Sequence, residues 1–228
     1  MMWFVVGAVG LVLVGVAAWF YPFLKSRITA AWRANCFRAL ASELGAALSP
    51  DGASCDTGFM PTVWSVFGPY GELRNIITQR VDDETVYLFE YRFGGRPSRW
   101  AYRRGVTLVA IHLAKQVPMF TLQRPRGQPK SRKTSYEARG QRLVVQAIGD
   151  EIELWSLERD RKRARAIVGA PLLGELRRDP GWDIRGIDHW LVIFNEKRRP
   201  ALRVHDLERF FEHAKHLGGL VDAKGRPR

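Results

Sequence analysis

Histidines, acids and thiols are the residues in this chain able to do chemistry, and their spacing decides what chemistry that would be. His213 and His216 stand three apart in a stretch of helical periodicity, with His205 eight residues before the first of them. Residues at i and i+3 share a helix face, so two imidazoles could reach one metal ion. No third ligand stands at a fitting distance, and the three read as solvated histidines rather than a metal site. Asp188 and His189 look like an orienting acid beside a base, but adjacent residues of a strand point to opposite faces. His112, inside an apolar run, reads as a core histidine.

The acids are no more suggestive. Asp82-Asp83 with Glu84 sits between two strand-like runs, where turn chemistry explains it. Asp150, Glu151 and Glu153 gather at a second turn with no partner motif. Cys36 and Cys55 form no Cys-x-x-Cys pair; Cys36 reads as a small apolar packing residue, with reversible lipidation near a membrane as the other use of it. Neither a Gly-x-x-x-x-Gly-Lys loop nor a Gly-x-Gly-x-x-Gly turn is present, and each of the two common phosphate cradles needs one of them. The residues therefore name no catalytic group, no metal and no cofactor. An enzyme whose site assembles only in the fold stays open.

The elements around these residues are easier to read. Met1–Leu24 contains no charged side chain, and the first is Lys25. At a rise of 1.5 Å per residue the run is about 36 Å long as a helix, enough for a hydrocarbon core of about 30 Å. It is apolar on every face, and Trp3-Phe4 and Trp19-Phe20-Tyr21 stand where interfacial aromatic rings anchor a span. A cleaved signal peptide predicts a basic start, a shorter apolar run and a small-residue cleavage site; here no basic residue precedes the run, the run is too long, and Trp19, Phe20 and Tyr21 after Ala17-Ala18 are poor surroundings for cleavage. Lys25, Arg27, Arg33 and Arg38 follow the run and no basic residue precedes it, which predicts a single inner-membrane span with the N-terminus outside and the remainder cytoplasmic. Gly7, Gly10 and Gly15 do not fall four apart, so the span carries no small-residue dimer motif.

Ile28, Trp32, Cys36, Leu40, Leu44 and Leu48 recur every fourth residue and predict a juxtamembrane amphipathic helix over 25–48. Its stripe either lies on lipid or packs on the domain that follows, and packing is the plainer expectation. Residues 49–61 read as a linker. A β-meander follows, with runs at Leu73–Val81, Thr85–Phe93, Gly105–Leu113 and Met119–Gln123; in the second, Tyr87, Phe89, Tyr91 and Phe93 share one face while Glu90 and Arg92 share the other. Leu143–Ile148 and Ile152–Leu157 are further strands. A basic helix over Arg159–Arg178 breaks at Pro171, a hairpin turns around Gly186 between Trp182–Arg185 and Trp190–Asn195, and a last helix at Asp206–Leu217 ends at Gly218-Gly219. The expectation is an α+β fold: an N-terminal transmembrane helix (1–24), the juxtamembrane helix, the linker, a mostly antiparallel sheet with flanking helices over 62–220, and a disordered basic tail at 221–228.

Four stretches, Glu72–Ile77, Val86–Phe93, Pro118–Leu122 and Leu172–Leu176 leading to Trp182, resemble bacterial single-pass membrane proteins of unknown function. The resemblance covers most of residues 60–217 and implies architecture alone.

The formal charge is +13, all of it beyond residue 24. Arginine outnumbers lysine 28 to 8, so genome composition accounts for part of it. Basic residues cluster at Arg96–Arg104, at Arg159–Arg165 (Arg159, Arg161, Lys162, Arg163 and Arg165), at Lys197–Arg199, and in Arg124–Arg142, a Pro-, Gly- and Ser-containing stretch with Arg124, Arg126, Lys130, Arg132 and Lys133. Tethered at an anionic leaflet, such residues contribute about 1 kcal/mol each toward surface binding. The first expectation is therefore a non-enzymatic interaction or scaffold module resting on anionic lipid head groups or an acidic protein. A membrane enzyme acting on an anionic lipid or envelope precursor is the second. Tethered nucleic-acid binding is the least expected, because no recognition motif accompanies the charge.

Overall fold

The computed structural model describes residues 27–52, 58–69, 71–81, 83–93, 104–124, 143–148, 151–195 and 203–222. The apolar run Met1–Leu24, most of the basic 124–142 stretch and the end of the chain lie outside them. Within them a helix, α1, occupies residues 27–43. It is followed by β1 (Ala47–Asp51), α2 (Met60–Phe67), β2 (Glu72–Val81), β3 (Glu84–Phe93), β4 (Arg104–Gln123), β5 (Leu143–Ile148) and β6 (Ile152–Leu157). A 3-10 turn at Glu158–Asp160 leads into α3 (Arg161–Ile167), then α4 (Ala170–Arg178), β7 (Trp182–Asn195) and α5 (Val204–Asp222). The fold is α+β, and its strands form one antiparallel sheet in the order β1-β2-β3-β4-β6-β5, with β7 also on β4.

The two faces of the sheet are packed differently. One, aliphatic in the main, joins Ile77, Val86, Leu88, Val109, Ile111, Leu154 and Ile193 to Phe37 and Leu40 of α1, Ala164 of α3, Leu172 of α4 and Phe211 of α5. The other is aromatic: Tyr87, Phe89, Tyr91, Trp190 and Phe194 pack around Phe59 and α2. β3 therefore has no wet face. The alternation of Glu90 with the aromatic residues, which normally marks a half-solvated strand, here separates two cores.

β4 and β7 pair along their lengths but do not run straight. Between His112 and Val117 of β4 the partner advances only from Trp190 to Asp188, so Ala114, Lys115 and Gln116 bulge out and are exposed. Asp188 takes φ +52° at the same place. Arg185 and Phe194 would stand about 30 Å apart on a straight strand, yet the Arg185 guanidinium lies 5.8 Å from the Phe194 ring centroid. The ribbon turns back on itself.

Several boundaries differ from the sequence reading, and glycines account for most of the differences. The juxtamembrane helix stops at residue 43, because Gly45 takes φ +59° and the amides of Gly45 and Ala46 close back on Ser42 and Ala41, a left-handed cap that releases the chain into β1. Leu48 and part of the expected linker are thus a strand paired with β2. Gly186 marks no hairpin: both arms of β7 pair with β4, and a Cβ at Gly186 would meet the Phe120 ring at 2.3 Å. Gly218 does not end α5 either; it lets the helix approach Ile111, whose Cδ1 a Cβ would meet at 2.3 Å. α5 runs on to Asp222 and buries Val221, so no tail begins at 221. The basic helix breaks at Val168-Gly169, and Pro171 sits in the first turn of α4, where a missing amide costs nothing. Pro118 lies inside β4 at a register irregularity, the position a strand proline tolerates.

Candidate membrane-facing surface

α1 is the described element nearest the apolar run, and its two halves meet different surroundings. An i+4 row advances 400° per step, so each member is rotated by about 40° from the one before it. Six members therefore wind through about 200° and cannot share one face. Phe37, Leu40 and Ala41 are buried on the sheet, with Cys36 and Leu44 half-buried beside them. Ile28 and Trp32 have rotated off that face and are 57% and 59% exposed. Packing and exposure, set against each other in the sequence reading, both occur on one helix.

What holds α1 in this rotation is a buried charge. Glu90 of β3 is 1% exposed. Arg33 of α1 donates to its Oε1, Asn75 Nδ2 donates to Oε2 at 2.9 Å, and Arg92 stands 3.9 Å from Oε2. Asn75 can reach because β2 slips register between Arg74 and Ile77 and Asn75 adopts φ +52°, a conformation asparagine tolerates better than most residues. Burial lowers the Arg92 pKa, Glu90 opposes that, and the nearby Arg74 and Arg33 add to it. A carboxylate taken out of water needs such partners, since an unpaired one costs several kcal/mol. Burial also raises the Cys36 pKa, with Arg33 opposing, so the thiol is a poor nucleophile at neutral pH.

The expected site residues are dispersed. Trp3, Phe4, Trp19, Phe20, Tyr21 and Lys25 lie outside the described residues, as do Arg126, Lys130, Arg132 and Lys133. Arg27 is exposed at the start of α1. Arg124 stands 3.7 Å from Glu151. Arg159 and Arg161 are exposed beside Asp160 and Glu158, at 3.9 and 3.6 Å, and Lys162, Arg163 and Arg165 are exposed on α3. Since α1 and α3 both pack through the aliphatic core, these basic residues and the exposed turn of α1 belong to the same side of the sheet. α5 lies there too, with Asp206, Glu208 and Glu212 against Arg209 and Lys215; positive charge on this side comes from α1, α3 and α4.

The histidines meet only in pairs, His112 with His189 at 5.8 Å and His213 with His216 at 6.5 Å between ring centroids. His213 is more than solvated: it lies 3.8 Å from Asp179 and stacks 5.0 Å from Trp182. His112 packs 4.6 Å from Trp190, and His189 Nδ1 stands 3.1 Å from the Leu113 carbonyl. Among the described residues no group of His, Cys, Asp and Glu is placed to hold a metal ion. Two concavities among the described residues bear on the question. A cavity of about 30 Å³ between α2, β4 and β7 holds about one water molecule. An open groove of about 550 Å³ beside Met60, Trp64 and Leu73 has Glu72 as its charged group, 3.0 Å from Arg74. Neither gathers a nucleophile with a base. Among the described residues no helix is long and apolar enough to cross a membrane; the span expected at Met1–Leu24 is outside them.

No family model matches the chain, and no curated protein matches it in sequence. The crystal structure of the mycobacterial trehalose monomycolate transport factor A, TtfA, is similar in fold. The two superpose with a TM-score of 0.51 over 82% of this chain and 95% of that one, at 13% sequence identity. At that identity the likeness concerns the arrangement of sheet and helices.

Proposed function

We propose that this chain is a membrane-tethered accessory module, without catalytic chemistry of its own, that holds a rigid basic domain against the anionic inner leaflet. The observation that carries the reading is the Arg33–Glu90 lock. A helix whose first described residue comes three positions after an uncharged 24-residue run is fixed to the sheet by a buried ion pair and a packed Leu40. The sheet domain then moves with α1 as one body. Exposed Arg159, Lys162, Arg163 and Arg165 on the same side of the sheet would add electrostatic attraction, which salt screens.

Vesicle flotation tests it. Residues 25–228 should float with vesicles containing anionic lipid and stay behind as salt is raised; equal binding to neutral vesicles would remove the electrostatic part. Retention of the full chain after alkaline carbonate is expected, and its release would remove the tether.

A second reading is favoured by the fold match, which extends over nearly all of a protein named as a transport factor. In that reading the module assists movement of an envelope lipid. Binding of trehalose monomycolate to the purified full chain, or its absence, separates the two.

A further inference from the structure

Ile28 and Trp32 carry an inference about the surface on which α1 rests. We infer that α1 lies along the plane of the inner leaflet with Ile28 and Trp32 in the lipid interface, and that the sheet domain is carried on its opposite side. This rests on the reading of Met1–Leu24 as a span and adds to it the orientation of everything that follows.

Depth decides between the two ways of leaving a membrane. If α1 continued upright from Leu24, Ile28 would stand about 6 Å and Trp32 about 12 Å beyond the hydrocarbon. The polar layer of one leaflet is only about 5–7 Å thick. An upright helix therefore leaves Trp32, 59% exposed, wholly in water. Lying flat, the helix brings both residues to the same depth. The angles then fit without adjustment: taking 100° per residue, the Ile28–Trp32 direction lies about 150° from the mean direction of Phe37, Leu40, Ala41 and Leu44. The lipid side and the domain side of α1 are nearly opposite.

The flanks agree with a lipid partner. Arg27 and Arg38 are exposed and fall on one side of the helix between those two directions, where their guanidinium groups can reach phosphates while the apolar pair points inward. Glu90 holds Arg33 on the domain side, so the helix cannot roll to hide Ile28 and Trp32 without stripping a buried carboxylate of its partner. An exposed apolar pair that a charge lock prevents from turning inward is directed at something outside the domain, and the end of the apolar run four residues before Ile28 places lipid there.

The test uses the full chain in vesicles, with Cys36→Ser and Cys55→Ser as background and an environment-sensitive label on Ile28→Cys, Trp32→Cys or Val145→Cys. Val145 is 45% exposed and pairs beside Trp155 on the sheet face away from α1, so it reports bulk water. Labels at 28 and 32 should emit to the blue of the Val145 label and lose most of the quenching by a water-soluble quencher. Equal quenching at all three positions, in a chain that survives alkaline carbonate, overturns the inference and leaves the span. Protection at 28 with full quenching at 32 means an upright helix and overturns it too. So does protection that grows with protein density, which would mean a second copy. Release by carbonate fails the span itself, and the inference with it.

Discussion

The first and last turns of α1 are built from similar residues but meet different surroundings. In the last turns, Phe37, Leu40 and Ala41 are buried and Gly45 ends the helix with a left-handed cap. In the first, Ile28 and Trp32 face outward. Hydrophobicity alone does not separate the two; the 40° drift of an i+4 row does, and the Arg33–Glu90 pair between them decides which residues the sheet receives. A helix can thus belong to a domain through one half and to another surface through the other.

The largest effect should come from the lock. Arg33→Ala leaves Glu90 buried without its main partner and should cost about 3–5 kcal/mol of unfolding free energy, measured by urea unfolding of the full chain in detergent micelles. Glu90→Gln should cost less, about 1–3 kcal/mol, because Arg33 and Arg92 are 19% and 23% exposed and can turn toward water. A larger loss for Glu90→Gln than for Arg33→Ala would contradict that ordering.

Truncation separates the two halves directly. Leu40→Ala removes a side chain with no exposed surface and should cost about 2–5 kcal/mol, whereas Trp32→Ala should change unfolding by less than about 0.5 kcal/mol. If Trp32→Ala unfolded the domain as readily as Leu40→Ala, the outward half would be a packed half. At the cap, Gly45→Ala forces an alanine to φ +59° and should cost about 1 kcal/mol. The smallest effect is chemical: with its pKa raised by burial, Cys36 should be mostly thiol at pH 7.5 and react with iodoacetamide more slowly than in the urea-unfolded chain. Equal rates would remove the burial argument.

Much of the sheet could be read from the chain. β2, β3, β5 and β6 fall within one or two residues of the expected runs, because alternation and turn residues are local signals. What escaped notice depended on contacts distant in sequence. Gly186 and Gly218 look like turn and stop signals, yet both are spaces for Phe120 and Ile111, residues 66 and 107 positions away by the numbering. Glu90 shares its face with Arg92 in the strand alternation, and nothing local announces that Arg33 of α1, 57 residues earlier, reaches it. A signal for the lock was present in Asn75, a poor strand former inside an otherwise good strand. The exposed first turns of α1 are half legible: their residues stand in the i+4 row, but a row drawn straight conceals the twist that sends Ile28 and Trp32 away from Leu40.

A spin-label depth scan along α1 separates a flat helix from an upright one, with one label at a time on residues 28, 31, 32, 35 and 38 of the full chain in vesicles. Depth should oscillate with the helix turn, greatest at Ile28 and Trp32 and least at Arg38. A steady fall in depth from residue 28 to residue 38, or a uniformly aqueous profile, would contradict it.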